Sequence, residues 1–320
     1  MIDLTDRYEW LMIDSGAYSV WSQNSTINID EYIAFLKEYE DVIDVMVSLD
    51  AIPGHPGPIP PTRTEVEESA QVGWNNYLYM LDQGLPKSKL VPVFHFGEQF
   101  EWLQKYIDHG TPYIGLSPGP HRPQDIRRSW LDKCMPYVCD ADGNPLVKLH
   151  GFGVTAISLI YRYPWKSVDS SSWVHAGSMG AIKIPPLKDG HWDWEGSPRA
   201  LSVSARSSSY TVRGQHWKTL NDKQREVILR LLALFDFPLG KSTFRTEPPG
   251  YIVAENEVVI DRADNEWKVE KFVERGIINY HPMRKYFNAI MTLTYNEKIN
   301  EKINEKPHKF NFDKIVRSLL

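Results

Sequence analysis

Six short apolar runs in the first 170 residues each close on a carboxylate, an imidazole or a polar turn. Five are Leu11-Met-Ile-Asp14, Val45-Met-Val-Ser-Leu-Asp50, Val91-Pro-Val-Phe-His95, Tyr113-Ile-Gly-Leu-Ser117 and Val147-Lys-Leu-His150, and the sixth ends in Ser167-Val-Asp169. A single such ending is chance. Six in order, separated by segments of helical periodicity, predict an α/β chain built as a (β/α)8 TIM barrel, with strand C-termini converging on one mouth.

The segments between the runs carry helix signals. Asp30 to Glu40 reads as a helix with Asp30 as N-cap and Tyr32, Phe35, Leu36 and Tyr39 on one face. Thr64 to Gln83 reads as another, opened by the capping-box pattern Thr64-Glu-Val-Glu67 and stopped by Gly84. Glu98–Asp108, Pro123–Cys134 and Thr155–Arg162 complete the set. The proline-rich stretch Ile52 to Pro61 is excluded from helix and sheet interiors, and after a barrel strand it would overhang the mouth as a lid.

Beyond Trp173 the rhythm blurs. Ala181–Ile184 and Leu201–Val203 are the candidates for strands seven and eight, and Asp222–Phe235 reads as a helix. Near the end, Asn296-Glu-Lys-Ile recurs as Asn300-Glu-Lys-Ile and Asn304-Glu-Lys-Pro, which fits a solvated helix stopped by Pro307. The expected division is a catalytic barrel over residues 1–240 and a mostly helical C-terminal extension over 241–320.

Charge is unevenly spread. The net of −5 hides a first stretch, residues 1–120, with 6 Lys/Arg against 18 Asp/Glu, and a basic, Ser-rich stretch, 196–246, with 9 against 3. The second stretch could track a polyanion; from charge alone a solvated surface fits as well. Cys134 and Cys139 suit reduced structural thiols, too few for a disulfide framework or a closed zinc site. With no signal-peptide pattern and no apolar run of membrane length, a cytoplasmic protein without membrane contact is expected.

Two acids from distant strand ends, Asp14 and Asp169, could divide the work of breaking a glycosidic bond. One would attack the sugar carbon while the other moves protons. Asp50 could accept hydrogen bonds from a ligand's N–H groups. Any one of these could instead cap a helix or brace a loop. His95 with Glu98 is a weak metal signal; a hydrogen-bonded histidine beside a capping glutamate is the better reading. Tyr18 could stack on a planar ligand or simply pack in the barrel.

At this point the motifs resemble a known family. Asp14-Ser-Gly-Ala-Tyr18 resembles the Asp-Ser-Gly-Gly-aromatic motif of the tRNA-guanine transglycosylases. The runs ending at Asp50 and Asp169, with Tyr113-Ile-Gly-Leu-Ser-Pro-Gly119 and Leu149-His-Gly-Phe-Gly153, follow that family's order across residues 10–175. The phrases around His95, His150 and Asp169 are more similar to the phage-type DNA-guanine transglycosylases, which insert 7-deazaguanine bases into DNA.

That resemblance implies roles. Asp169 matches the nucleophile that displaces guanine from C1′, and Asp14 the acid/base that deprotonates the incoming base. Asp50 matches the carboxylate reading the purine edge, and His95 falls where the family has a base-contacting glutamine. Gly115 and Leu116 match backbone contacts to the base, Tyr18 matches the stacking aromatic, and His150 replaces an apolar residue on the base's other face.

Two departures bear on the substrate. No cysteine follows Cys139, so the family's zinc subdomain is not expected, and no other cofactor is implied. Ser170-Ser-Ser-Trp173 replaces the Pro-Thr-Arg element that serves the tRNA enzymes near the anticodon loop. The expected activity is therefore replacement of guanine in DNA by a free, preQ0-like 7-deazaguanine base, with the target guanine flipped or single-stranded. Arg199, Arg206, Arg213 and Lys218 are the candidate backbone contacts. The alternatives are a tRNA-guanine transglycosylase, a barrel hydrolase, and a non-catalytic nucleic-acid-binding subunit. A homodimer remains open, as does a phage origin, which would place the protein in a host cytoplasm.

Overall fold

Parallel pairing joins the six apolar runs in chain order. β1 (Met12–Ile13) pairs with β2 (Val45–Val47), and β2 with β3 (Leu90–Val91). β4 (Val93–His95) pairs with β5 (Tyr113–Ser117), β5 with β6 (Lys148–Gly151), and β6 with β7 (Ser167–Val168). Pro92 is what divides β3 from β4. It has no N–H for the ladder, although its carbonyl still accepts from Gly115 N at 2.8 Å. The strand order follows the sequence without reversal, unlike a doubly wound sheet. The computed structural model describes residues 10–23, 25–56, 59–119, 122–209, 211–305 and 308–313.

The chain is mixed α/β, and it divides into two compact units, one comprising Met1–Ser170 with Pro307–Leu320 and the other Ser171–Lys306. This is not the expected boundary at residue 240. In the first unit Phe310 packs its ring flat on Tyr163, with centroids 5.6 Å apart, and donates its N–H to Gly143 O.

Helices cover one face of the first unit's strands: α1 (Ala17–Ser22), α2 (Ile29–Glu38), α3 (Arg63–Asp82), α4 (Phe100–Asp108), α5 (Gln124–Val138) and α6 (Ile157–Arg162). α3 buries Ala70, Gly73, Tyr77 and Met80, one stripe at helical spacing. Ala70, Tyr77 and Met80 pack with Met46, Leu90, Phe94, Ile114, Leu116 and Leu149 in one core. The other strand face carries a separate small cluster of Met12, Val45, Val91 and Tyr113. Cys134 and Cys139 are free and buried.

Several boundaries differ from the sequence reading. α2 is capped by Asn28, whose side chain accepts from the amides of Asp30 and Glu31, so Asp30 lies inside the helix. The capping box of α3 is Thr62 with Glu65, two residues earlier than expected. In both places an adjacent polar residue reached the free amides first. Of the expected lid, residues 57 and 58 lie outside the described residues, as does the proposed helix stop at Pro307.

In the second unit α7 (Ser172–Ser178) leads into β8 (Ala181–Ile184), the hairpin of β9 (Leu187–Lys188) and β10 (His191–Trp192), and β11 (Arg199–Ser202). β8 and β11 are the segments expected as barrel strands seven and eight, but they pair antiparallel with each other. Their connection holds only a hairpin and turns, whereas parallel neighbours need a crossover, usually a helix.

α8 (Asp222–Leu234) is as expected, but residues 241–274 are not helical. They form β12 (Lys241–Glu247), β13 (Glu257–Arg262) and β14 (Trp267–Glu274), an antiparallel sheet in the order β12-β14-β13, before α9 (His281–Asn304). Residues on both faces of β12 stay wholly or partly exposed, so it lacks the apolar alternation that marks a strand. Asn288 of α9 is fully buried, accepting from Lys183 N and donating to Trp173 O and Ala181 O. Among the described residues no helix is long and apolar enough to cross a membrane.

Candidate active site

The site residues of the first unit sit at or just past the C-terminal ends of parallel strands, Asp14 after β1, Asp50 after β2, His95 ending β4 and Asp169 after β7. Register then selects which side chains share a face. Gly115 pairs with His150 and His150 with Ser167, and Tyr113 lies two residues before Gly115. The period of two therefore places Tyr113, Gly115, His150 and Ser167 together, on the face away from the helices.

Asp50 is gripped at both oxygens. Ser15 Oγ donates to Oδ1 at 2.9 Å, and His95 Nε2 lies 2.9 Å from Oδ2. Ser15 Oγ in turn accepts the amide of Ala17, a turn made possible by Gly16 at φ 75°. Behind His95, its Nδ1 meets Glu98 Oε1 at 2.9 Å, and both side chains are buried. Burial alone would drive the imidazole down, but carboxylates on both nitrogens raise it to about 10. Glu98 is itself pushed up by burial, against the pull of His95. The geometry favours a charged imidazole, since each nitrogen faces an acceptor.

Asp14 lies next to this grip, its Oδ1 accepting the Ser15 amide at 2.9 Å. Crowding by protein atoms, then the negative charges of Asp50 and Asp169, raise its carboxyl from 3.8 to about 6, with the Ser15 amide and His150 opposing. Asp14 keeps an exposed edge, so solvent screens part of that repulsion. Asp50 and Asp169 thus both lie within electrostatic reach of Asp14, although Asp14 and Asp169 are 155 positions apart in the chain.

Asp169 is half exposed, and its Oδ1 accepts the Gly153 amide at 2.7 Å. Gly153 can face it because φ is 65°, a left-handed conformation. The same Oδ1 lies 3.8 Å from His150 Nε2. His150 is 1% exposed, and its Nδ1 meets Ser167 Oγ at 2.6 Å, which meets the Tyr113 hydroxyl at 2.5 Å.

Phe152 lies against Gly115 and His150, two of the residues expected to contact a base. Its ring stands edge-on to His150 with centroids 4.3 Å apart and lies so close over Gly115 that a Cβ there would come within 2.3 Å of Phe152 Cε2. Leu116, next in β5, is fully buried in the helix-side core. Tyr18 is exposed on α1, with its ring 5.7 Å from Trp21, whose indole donates to Gly54 O.

The four expected nucleic-acid contacts belong to the second unit. Arg199 opens β11, Arg206 and Arg213 are exposed on the irregular stretch after it, and Lys218 is exposed in the short 3-10 turn Trp217–Thr219. The buried His216 braces that stretch, with Nε2 against Ser204 O at 3.1 Å and Nδ1 accepting the Lys218 amide at 3.0 Å. Among the described residues no group of three or more His, Cys, Asp or Glu side chains could hold a metal ion.

Sequence reasoning missed Ser15, Tyr113, Phe152, Gly153 and Ser167. The parts of Tyr113 and Ser167 depend on cross-strand register, whereas Ser15, Phe152 and Gly153 lie in turns just past strand ends. The available signal was the alternation within Tyr113-Ile-Gly-Leu-Ser117 and Ser167-Val-Asp169, which sets Tyr113 with Gly115 and Ser167 with Asp169. No protein-family model and no curated protein matches this chain.

Proposed function

We propose that this chain is a base-exchange glycosyltransferase that replaces guanine in DNA with a 7-deazaguanine derivative. The observation that carries the reading is the convergence of Asp14, Asp50 and Asp169 from three strand ends, close enough for two to raise the third to about 6. An acid tuned near neutrality suits proton transfer, and a half-exposed carboxylate suits attack on a bulky substrate. The unreversed strand order also supports a TIM-barrel frame with its mouth at these residues.

In the proposed reaction, an Asp169 carboxylate oxygen forms a bond to C1′ as the C1′–N9 bond to guanine breaks. Guanine leaves with the electron pair and takes up a proton from water, which reaches this half-exposed site. The incoming base then loses its N9 proton to Asp14, and N9 attacks C1′ as the Asp169 ester bond breaks. Two inversions give net retention at the sugar. Asp50, fixed at each oxygen by one bond, keeps lone pairs to accept from the purine's N–H groups. Phe152 either stacks on the base or swings off Gly115 to admit it.

Arg199, Arg206, Arg213 and Lys218 are proposed to hold the DNA backbone, and reduced Cys134 and Cys139 are consistent with a cytoplasmic setting. The test is exchange of labelled guanine in DNA and tRNA offered in competition, with a 7-deazaguanine present or withheld. Label loss from DNA that needs the incoming base and disappears in Asp169→Ala supports the reading. Preference for tRNA, or release without an incoming base, replaces it by the transglycosylase of tRNA or by a hydrolase.

A further inference from the structure

His150 Nε2 is a polar atom closed off from water with no hydrogen-bond partner among the described residues. A buried polar atom left so is uncommon and asks for an explanation. Its nearest charged neighbour is Asp169 Oδ1 at 3.8 Å, just beyond bonding distance.

Which proton Nε2 carries follows from the hydrogen bonds behind it. Ser167 Oγ has one proton to share between His150 Nδ1 at 2.6 Å and the Tyr113 hydroxyl at 2.5 Å. If Tyr113 donates to Ser167, Ser167 donates to Nδ1, and the imidazole proton must sit on Nε2. In the opposite direction Tyr113's own proton has no acceptor, and a bare Nε2 lone pair faces a carboxylate. Tyr113 is buried, and burial holds its phenol protonated. The first direction leaves only one group waiting, an N–H aimed at Asp169.

We propose that the chain Tyr113–Ser167–His150 fixes a proton on His150 Nε2, and that this N–H is a positioning group for Asp169. It rests on the reading of Asp169 as the nucleophile. With the Gly153 amide already on Oδ1, a second donor from His150 holds that oxygen in place and leaves Oδ2 to meet C1′. The 3.8 Å gap closes by a small turn of the half-exposed Asp169 side chain. The charged groups facing this pair are Asp14, and Asp50 beyond it, both negative. They repel Asp169, and an N–H donor from His150 offsets their push.

The experiment has a spectroscopic and a kinetic arm, both on the full chain. Nitrogen-15 spectra of labelled histidine should show His150 with Nε2 protonated and Nδ1 bare, and Ser167→Ala should remove that preference. A protonated Nδ1 in the unaltered protein overturns the proposal. In single-turnover assays with labelled DNA, His150→Phe keeps an aromatic ring but no donor. It should slow formation of the covalent sugar adduct about 10- to 100-fold, the worth of one hydrogen bond to a charged group, without raising KM for the incoming base.

His150→Gln places an amide N–H near the Nε2 position and should restore most of that rate. Equal rates for the Phe variant and the unaltered protein, or a Gln variant as slow as Phe, sink the positioning role. An Asp169→Ala protein that still forms the adduct sinks the nucleophile reading instead, a result the spectrum cannot produce. Should His150→Phe fail to fold, Ser167→Ala and the spectrum still decide where the proton sits.

Discussion

His95 Nε2 lies 2.9 Å from Asp50 Oδ2, and the two side chains are 9% and 8% exposed. With Glu98 on the other nitrogen, one imidazolium serves two buried acids. Removing it would leave two like charges facing each other out of water, a cost of about 3–5 kcal/mol. His95→Phe should therefore lower the free energy of unfolding in urea by that order, and adding Glu98→Gln should recover part of it. Full stability in the single variant would mean that the acids are protonated and the histidine is not needed as a cation.

The pH dependence of stability follows from the same group. The folded value of His95, about 10, stands above the ordinary 6.5, so the folded chain holds a proton that the unfolded chain releases. Its contribution is fully present below pH 6.5 and is lost as pH rises through about 10. Urea midpoints should fall across that window in the unaltered protein, and the fall should flatten in His95→Phe. An unchanged slope would deny His95 a raised pKa.

Asp14 provides a separate titration. Its folded value of about 6 lies above 3.8, so ionising it in the folded chain is unfavourable and stability drops as pH rises between those values. As a base, however, it must be ionised, so base exchange should rise with pH through about 6. Asp169→Asn removes one of the charges that raise it. The Asp14 carboxyl carbon resonance should then titrate at lower pH, a measurement that needs no turnover. A titration unmoved by Asp169→Asn would place the two acids out of each other's field.

The strand-end acids were legible because a parallel sheet puts chemistry where each strand stops, and an apolar run ending in Asp or His is visible in one dimension. Tyr113 and Ser167 were not, because their partners are chosen by register between strands, which periodicity does not encode. The misassigned seventh and eighth strands fail for a related reason. Ala181–Ile184 is apolar enough for any sheet, and only the absence of a helix before Arg199 distinguished an antiparallel neighbour from a parallel one. The strand Lys241–Glu247 escaped notice because charged and polar residues cover both its faces.

The fit of Phe152 over Gly115 is open to a double-mutant cycle. A Cβ at Gly115 would come within 2.3 Å of the Phe152 ring, so the ring must move. Gly115→Ala should destabilise the fold by about 1–3 kcal/mol through overpacking. In the Phe152→Ala background the same change should cost less, with a coupling of about 0.5–3 kcal/mol seen in urea unfolding. Additive effects would mean the two residues do not share the space.

Arg206 and Arg213 are exposed and make no ion pair among the described residues, whereas Arg230, in the same basic stretch, is paired with Glu226 at 2.6 Å. A phosphate-binding surface should discriminate between them. Arg206→Ala and Arg213→Ala should weaken DNA binding about equally for all sequences, and each should lower the slope of log affinity against log salt by about 1. Arg230→Ala should change the slope less, because its charge is already partly neutralised. The loop that carries the first two arginines is braced by neutral His216, whose imidazole burial holds below the ordinary value. Protonating Nδ1 would evict the Lys218 amide it now accepts, so that support is present above the ordinary pKa and is lost as pH falls through the lower folded one. If the salt slope is the same for all three arginine variants, the polynucleotide does not lie along this stretch.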